Sequence, residues 1–458
     1  MVTLQRTLKK LGGASFGAVA LLSFAALPHG LQSSTKPSSR ERPFNEELES
    51  LGKAIFNDTS LSNPPGLACA SCHAAETGYT HPDEGVHKGS ALAPGAAKGR
   101  FGHRKPPTVA YASFMPQGIP HWDDNMQAYV GGLFWDGRAP NAEVQAAFPL
   151  TDPDEMNNCE FDGTPRIDLV VEKLKSGPSA DTFKRLFGDK VFDQGPQRIF
   201  EFAARAIVAY ESSEEVSPFT SKFDAYLEGK ASLTDDEIMG MRFVTGLMTG
   251  KPGSLPFRHS MHCMDCHGGT PDNKPNRYLW SHGCYANLGI PHNPAVPASD
   301  PDLGLGGTVY RQLAYPFNLI SLADPFQVNG SFRAPTLRNV DKRPKEGFVK
   351  SYMHNGYFKS LKDVVHFYNA RNLTTQPGEV IDFTKPDPYA NLKGKPLFPQ
   401  PEVIGPSLVN PGGSAGVGVR IANGDPDASQ IGQLKLTDAQ EDAIVAFLKT
   451  LTDGYFKR

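Results

Sequence analysis

The chain has 458 residues, of which 39% are hydrophobic and 21% charged, a composition typical of a globular protein of two or three domains and not of a disordered or membrane protein. Its 46 basic residues nearly balance its 49 acidic ones, and the net charge of -3 gives no indication of nucleic-acid binding. The 45 glycines and 39 prolines predict many turns and long connections.

The N-terminus has the pattern of an export signal. Basic residues within the first ten positions precede an apolar run from Gly12 to Leu27, which has the length of a signal-peptide core and is short for a bilayer span. The cleavage site is indistinct, and a single uncleaved anchor is the alternative. We expect a signal peptide over residues 1–31, a polar linker over 32–43, and a periplasmic protein with no other membrane segment.

Four segments have the pattern of helices. The first, Asn45–Phe56, precedes a cysteine pair, and the second, Gly195–Glu211, is amphipathic. A third begins at a capping box formed by Thr234 and Glu237, and the last covers Leu436–Thr452 behind a threonine cap. Strand patterns are weak throughout. The sequence therefore predicts a mainly α fold with long coil connections.

Four of the six cysteines stand in frames of the form Cys-x-x-Cys-His. The two frames are Cys69-Ala-Ser-Cys72-His73 and Cys263-Met-Asp-Cys266-His267. Haem attachment of the c type requires this spacing, because two thiols add across the vinyl groups of one porphyrin while the adjacent histidine reaches the iron. A thioredoxin-like redox pair or a zinc site is the alternative, but neither needs a histidine directly after both pairs. Composition alone gives about 0.002 accidental matches in such a chain, so we expect two covalently bound haem c groups.

The order of these features predicts two cytochrome c-like haem domains with helices around each haem. Each would contain a helix, a cysteine pair, loops and a closing helix, and we place the boundary near residue 232, between domains of residues 44–232 and 233–458. The two remaining cysteines, Cys159 and Cys284, would lie in an oxidising compartment. They are interpreted either as a disulfide or as two free thiols.

Four further segments resemble the bacterial di-haem cytochrome c peroxidases and the related MauG-type enzymes, over about residues 44–452. The similar segments are Arg104–Ala112, Phe134–Met156, Ser331–Val340 and Ser351–Asn369. The resemblance implies a peroxidatic N-terminal domain and an electron-transfer C-terminal domain.

The resemblance also implies roles for residues of the segment that begins at Phe134. Trp135 corresponds to the tryptophan that relays electrons between the two haems; an ordinary core tryptophan would be the favoured interpretation if the motif stood alone. Gln145 and Pro149 correspond to residues of the peroxide pocket. Glu155 corresponds to the carboxylate that moves a proton between the peroxide oxygens; the alternative is a solvated loop acid.

The second haem departs from the peroxidase pattern at its far axial ligand. Tyr368 stands where the peroxidases carry methionine and where MauG-type enzymes carry tyrosine. A tyrosinate is hard and anionic, so it lowers the reduction potential and stabilises oxidised iron. We expect His73 to ligate the first iron and His267 and Tyr368 to ligate the second. Met353 is the competing ligand, and both could instead be core residues.

Two other departures concern the first haem and calcium. Many relatives carry a far-side histidine at the position of Ala97, so the first haem is predicted to be open to peroxide. A nearby loop histidine is the alternative ligand; the loop contains His81, His87 and His103. Lys105 replaces an asparagine that helps bind calcium in the family, which argues against a calcium site.

The leading hypothesis is a peroxidase that reduces hydrogen peroxide with electrons from a small cytochrome c or copper protein. The second is a MauG-like enzyme that uses high-valent haems to modify a partner protein, and the third is a non-catalytic electron carrier with both irons six-coordinate. Trp122 and Trp280 lie in long loops that are candidates for a protein docking surface. A homodimer is compatible with the sequence.

Overall fold

A computed structural model provides the structure and describes residues 41–126, 128–251, 254–256, 261, 263–270, 277–297, 301–308, 328–383, 385, 387–404 and 431–456. The predicted signal peptide and most of the linker lie outside these residues. No helix in this part of the chain is long and apolar enough to cross a membrane.

The fold is mainly α, as the sequence predicts. Twelve α-helices lie entirely within the described residues: α1 Glu41–Phe56, α2 Cys69–Cys72, α3 Glu84–Lys88, α4 Ala142–Thr151, α5 Ile167–Ser176, α6 Ala180–Phe187, α7 Pro196–Glu211, α8 Lys222–Leu227, α9 Asp235–Thr245, α10 Met264–His267, α11 Leu361–Ala370 and α12 Asp438–Lys449. Single turns of 3-10 helix lie at Thr59–Leu61, Ala75–Thr77, Ala112–Phe114 and Val191–Asp193.

Strands are few and short. Strands β1 (His121–Asp123) and β2 (Ala128–Val130) form one antiparallel pair, in which His121 lies opposite Val130. Strands β3 (Tyr285–Ala286) and β4 (Phe332–Arg333) form the other. They contribute local pairing, while helices form most of the two cores.

The four predicted helices are present, and local chemistry accounts for their ends. Helix α7 starts with a proline at its first position, where a missing N–H costs nothing. Helix α9 begins at the expected capping box: the backbone N–H of Glu237 donates to Thr234 Oγ1 at 3.3 Å, and Thr234 N–H donates to Glu237 Oε2 at 2.7 Å. Helix α12 is shorter than predicted, because Thr437 caps its start and the chain leaves the helix at Thr450.

Two apolar clusters form the cores. The first contains residues between 48 and 219 together with Leu279, and it is centred on the crossing of α1 and α7. The second contains residues between 223 and 451 and is centred on the crossing of α9 and α12. Within the described residues, each cluster thus contains a helix that precedes a cysteine pair and the last long helix that packs against it.

Buried polar contacts join the two clusters. The guanidinium of Arg338 is fully buried and donates to both carboxylate oxygens of Asp224, at 2.9 and 2.7 Å. It also lies over the ring of Tyr111, whose hydroxyl donates to Asp453 at 2.7 Å. Since Tyr111 belongs to the first core and Asp453 follows α12, the first core is linked directly to the segment after α12.

Candidate functional site

The first candidate haem site consists of Cys69, Cys72 and His73, at and just after the short helix α2. His73 Nδ1 lies 3.1 Å from the carbonyl oxygen of Tyr79. A carbonyl only accepts, so the proton is on Nδ1 and the lone pair of Nε2 remains for a metal. Burial lowers the pKa of His73 to about 4, which keeps the imidazole in the neutral form that binds iron.

Helix α4 carries two of the predicted pocket residues on one face. Asn141 caps the helix by accepting from Val144 N–H at 2.8 Å. Gln145 and Pro149 are one turn apart and remain half-buried, whereas Ala146 and Leu150 are buried in the first core. The half-buried face is therefore available to line a pocket.

Glu155 lies in the loop that follows α4. Its backbone N–H donates to Asp152 O at 3.2 Å, its carbonyl accepts from Ala96 N–H at 2.7 Å, and the next N–H, that of Met156, donates to Pro149 O at 3.1 Å. These bonds fix the loop against the end of α4. Among the described residues, no group forms a hydrogen bond with the Glu155 carboxyl.

The Glu155 carboxyl has an unusual charge environment. Burial raises its pKa to about 7, repulsion by Asp152 adds to the rise, and Arg138 opposes it. Its own charge contributes to the raised pKa values of the Cys69 and Cys72 thiols, so it lies near the first haem site. A carboxyl in this environment can accept and return a proton near neutral pH.

The three loop histidines differ in their surroundings. His87 is buried with both ring nitrogens engaged, Nδ1 with Ser351 Oγ and Nε2 with the carbonyl of His81, each at 2.7 Å. His81 Nδ1 accepts from Asp83 N–H at 3.1 Å. His103 is mostly exposed and faces Asp154 at 3.1 Å. The structure therefore gives His87 no free nitrogen with which to cap an iron.

The second candidate haem site consists of Cys263, Cys266 and His267, at α10 and its N-cap. His267 Nδ1 lies 3.1 Å from the carbonyl of Pro335, which again leaves Nε2 free, and burial lowers its pKa to about 4. Two widely separated backbone carbonyls, Tyr79 O and Pro335 O, thus orient the two histidines in the same way.

A cavity opens at the second site. The three attachment residues line it, and most of its other wall residues are apolar: Val244, Leu361, Val364, Val365, Ile444 and Leu448. A porphyrin is a flat apolar disc with two carboxylates at one edge, so apolar walls with cysteines and a neutral imidazole on one side fit this group.

Tyr368 and Met353 both line this cavity together with His267. Tyr368 lies on α11 and Met353 on the preceding loop, where its φ of +67° is in the left-handed region. Burial raises the pKa of the Tyr368 phenol, so without a cation it is neutral. Since both side chains face the same space, the choice between them stays a prediction.

Trp135 is buried and lines the same cavity. Its indole N–H donates to Lys105 O at 2.9 Å, and its carbonyl accepts from Arg333 N–H at 2.9 Å. Its ring meets that of His354 edge-on, with 6.5 Å between centroids. The turn that carries it is tight, because a Cβ on Gly137, at φ +74°, would collide with the Tyr285 hydroxyl.

The structure corrects one sequence interpretation and decides between the alternatives of another. Trp280 is wrong as a docking residue, because it is fully buried in the second core against Phe223 and Phe447. Cys159 and Cys284 are free thiols, which is the second of the two alternatives. Trp122 is half-buried and packs on Tyr129, 5.3 Å between centroids.

The sequence analysis missed a set of buried polar groups around these sites. They are Glu211 near Cys69, His354 and Arg333 in the wall of the cavity, and the side chain of Lys105. No motif or spacing identifies them. Their common signal is burial with few partners: atoms of Glu211, His354 and Arg333 have no hydrogen-bond partner among the described residues, and the Lys105 ammonium has no charge partner there.

Comparisons with known proteins agree with this geometry. The sequence model of the family described as di-haem cytochrome c peroxidase matches residues 46–232. The chain is 32% identical over 422 residues to the methylamine utilization protein MauG of Paracoccus denitrificans, and the alignment covers 92% of each protein. It is 28% identical over 343 residues to the cytochrome c551 peroxidase of Pseudomonas aeruginosa, covering 71% of this chain and 72% of that protein.

A solved structure is similar over most of the fold. The diheme peroxidase BthA from Burkholderia thailandensis E264 superposes with a TM-score of 0.65 at 30% sequence identity. The match covers 92% of this chain and 87% of the other.

Proposed function

Because the chain belongs to the di-haem cytochrome c peroxidase family, we propose that it reduces hydrogen peroxide to water with electrons from a small redox protein. It is an oxidoreductase with two haem cofactors. In the proposal, residues 44–232 form the peroxidatic half and residues 233–458 the electron-transfer half. The donor is a small cytochrome c or cupredoxin, and the site of action is the periplasm, which the N-terminal signal pattern supports.

The two candidate sites hold the haems in the proposal. Cys69 and Cys72 would hold one haem through thioether bonds and Cys263 and Cys266 the other, while His73 and His267 would each bind one iron. When bound, the haem at His73 supplies an iron that binds peroxide and transfers electrons to it. His87, whose ring nitrogens are both engaged, would not bind this iron.

Glu155 moves the proton in the proposed reaction. Its carboxylate takes a proton from one peroxide oxygen and returns it to the other, and the amide of Gln145 orients the peroxide. One peroxide, two protons and two electrons give two waters. The observation that carries this assignment is a half-buried carboxyl near Cys69 and Cys72, free of hydrogen bonds among the described residues, with a pKa of about 7.

Trp135 provides the electron path between the two halves. Its side chain lines the second cavity, while its indole N–H is held by the segment whose Pro107 carbonyl faces His73. An aromatic ring between two haem edges shortens the gap that an electron must cross. This arrangement supports the relay that the resemblance implies.

Steady-state reduction of peroxide with a small cytochrome c or cupredoxin tests the proposal. We expect Glu155→Gln to lower kcat/KM for peroxide by about 10²–10⁴, with an unchanged haem spectrum, because the amide cannot accept the proton. Glu143→Gln, on the neighbouring helix α4, is the matched control and should retain activity. Wild-type turnover no faster than that of free haem would refute the function.

A specific observation also favours a second function, the oxidative modification of a partner protein in the manner of MauG. Tyr368 lines the second cavity with His267, and a phenolate ligand stabilises an oxidised iron better than a thioether does. The relative most similar among those above is a MauG. In this function, oxidising power held at the second site would be used on a partner's side chain.

Electron paramagnetic resonance of the ferric, haem-loaded protein tests the ligand. We expect one high-spin signal from the open first iron and one low-spin signal from the second. Tyr368→Met should shift the low-spin signal, and Met353→Leu, which changes a second wall residue of the same cavity, should leave it in place. A low-spin signal that moves only in the Met353 variant would assign the ligand to Met353.

A further inference from the structure

Lys105 and Arg333, two residues with buried cationic side chains, form hydrogen bonds with Trp135 through their backbone atoms. Lys105 accepts the indole hydrogen bond of Trp135, and Arg333 donates its backbone N–H to the Trp135 carbonyl, each at 2.9 Å. The backbones of both residues therefore lie against Trp135, and the Arg333 side chain lines the second cavity together with it.

Lys105 has no charge partner among the described residues. Its side chain is 7% exposed, and its ammonium makes one long hydrogen bond, 3.4 Å, to the carbonyl of Pro106. Its charge reaches the first haem site, because it contributes to the lowered pKa of His73. Lys350 is buried to a similar extent, but its ammonium donates to three carbonyl oxygens at 2.8 to 3.1 Å, so burial alone does not explain the isolation of Lys105.

Arg333 is the corresponding cation at the second site. Its Nε and Nη2 atoms are buried and have no hydrogen-bond partner in the part of the chain that the structure describes. It lines the cavity together with His267 and Tyr368. By contrast, Arg104 forms a two-bond pair with Asp302, at 2.6 and 2.7 Å, and contacts a second carboxylate, Asp136, at 2.7 Å.

A buried charge without a partner is strongly destabilising, so an arrangement with two of them indicates that anions arrive with a ligand. The described carboxylates near Trp135 are already engaged, since Asp136 and Asp302 pair with Arg104. The haems that the proposed function requires carry propionate carboxylates at one edge of each ring. These are anions of the right charge and are delivered to both sites.

We propose that Lys105 binds a propionate of the haem held by His73, and that Arg333 binds a propionate of the haem held by His267. The inference rests on the two haem sites of the proposed function, but not on the peroxidase activity itself. The propionate edges of both haems then meet at Trp135. Lys105 and Arg333 are thus positioning residues that orient each ring edge towards the relay.

Each cation should also raise the reduction potential of its own haem, because it offsets the negative charge that favours the ferric state. We expect Lys105→Met to shift the reduction equilibrium of the first haem about tenfold towards the oxidised form, or about 59 mV for one electron. Arg333→Met should shift the second haem in the same direction. Each variant contains the other haem as an internal control, and Lys105→Arg and Arg333→Lys should restore most of the potential.

Spectroelectrochemical titration of the haem-loaded protein measures both potentials. Lys359→Met removes a half-buried ammonium that already donates to two carbonyls, at 2.8 Å each, and should leave both potentials close to those of the wild type. Loaded Met variants with unchanged potentials would overturn the proposal. A wild type that fails to reduce peroxide, but whose variants show these shifts, would instead refute the proposed function alone.

A crystal structure of the haem-loaded wild type tests the same point without any substitution. We expect Lys105 Nζ and Arg333 Nη2 within about 3.2 Å of propionate oxygens, one on each haem. Propionates directed away from both cations would overturn the inference, whether or not the Met variants fold.

Discussion

Glu211 shows at the scale of one residue how burial alters chemistry. It ends α7, is 3% exposed, and its Oε2 atom has no hydrogen-bond partner among the described residues. Burial raises its pKa to about 8. It lies close enough to the first haem site to contribute to the raised pKa of Cys69. The Glu211 carboxyl is therefore mostly protonated at pH 7 in the folded protein, and the free energy of unfolding must depend on pH.

The pH dependence of stability follows from this raised pKa. The unfolded chain releases the Glu211 proton from about pH 4.5, whereas the folded chain retains it until about pH 8. The stability that the group contributes is complete below pH 4.5 and is lost as the pH rises to 8, by at most about 1.4 kcal/mol for each pH unit. We expect Glu211→Gln to remove this dependence.

Denaturant unfolding of the holoprotein between pH 5 and 8 measures the effect. The stability of the Gln variant relative to the wild type should increase steadily over this range. The stability of Glu172→Gln, at an exposed position of α5, should change with pH in the same way as that of the wild type. Parallel curves for the Glu211 variant and the wild type would show that Glu211 ionises normally.

Residues of the site differ in how far the sequence reveals them. Cys69 and Cys263 are found because haem attachment fixes a short spacing along the chain. Arg333 and Glu211 are not found, because their significance is the absence of a partner in space, and for Lys105 the sequence indicates only that a cation replaces an asparagine. Local sequence carries no information on which distant carboxylates approach a given cation.

At the scale of elements, each of two helix crossings has a glycine at the point of closest contact. Gly52 on α1 meets the carbonyl oxygen of Ala206 on α7, and Gly240 on α9 meets that of Ala443 on α12. A Cβ on either glycine would collide with that oxygen and with a side chain of the facing helix. Glycine within a helix costs about 1 kcal/mol relative to alanine, so close approach of the backbones accounts for its presence.

Within a helix alanine is normally more stable than glycine, but at these two positions we expect alanine to be destabilising. We expect Gly52→Ala and Gly240→Ala each to lower the free energy of unfolding by about 1–3 kcal/mol, because the crossing helices must separate. Denaturant titration monitored by circular dichroism measures the change. Gly102→Ala is the control, since a Cβ there has no neighbour closer than 3.9 Å. A gain in stability in both helix variants would contradict the close packing.

The helices themselves could be predicted from the sequence because their signals are local. A threonine cap with a glutamate three residues later, as at Thr234, places a helix start to the residue. The end of α12 was less certain, since apolar periodicity continues to Leu451 after the helix has ended at Lys449. The burial of Trp280 depends on α12 packing beside it, which no local pattern describes.

At the scale of the whole molecule, the Asp453 carboxylate contacts residues of both halves of the chain. Its carboxylate accepts from the Tyr111 hydroxyl at 2.7 Å, from Thr220 N–H at 2.9 Å and from the Asn339 side chain at 2.9 Å, and it lies 3.6 Å from Arg338. These partners come from both halves of the chain. The two halves should therefore unfold together.

Asp453→Ala tests this coupling by leaving several buried donors without an acceptor. We expect a loss of about 3–5 kcal/mol and a single calorimetric transition at a lower Tm, because both cores depend on this contact. Asp442→Ala removes an exposed partner of Lys362 and should cost less than about 1 kcal/mol. Two separate transitions, with only one displaced, would show independent halves.

The long separation along the chain between Tyr111 and Asp453, 342 positions, has a consequence for biogenesis. The N-terminal half cannot complete its own interior, around Tyr111 and Thr220, until synthesis has passed Asp453. The N-terminal half therefore matures only after the C-terminal half has been made as far as that residue. A prematurely terminated chain, even one that contains every haem-binding motif, would present an unfinished N-terminal half to proteases.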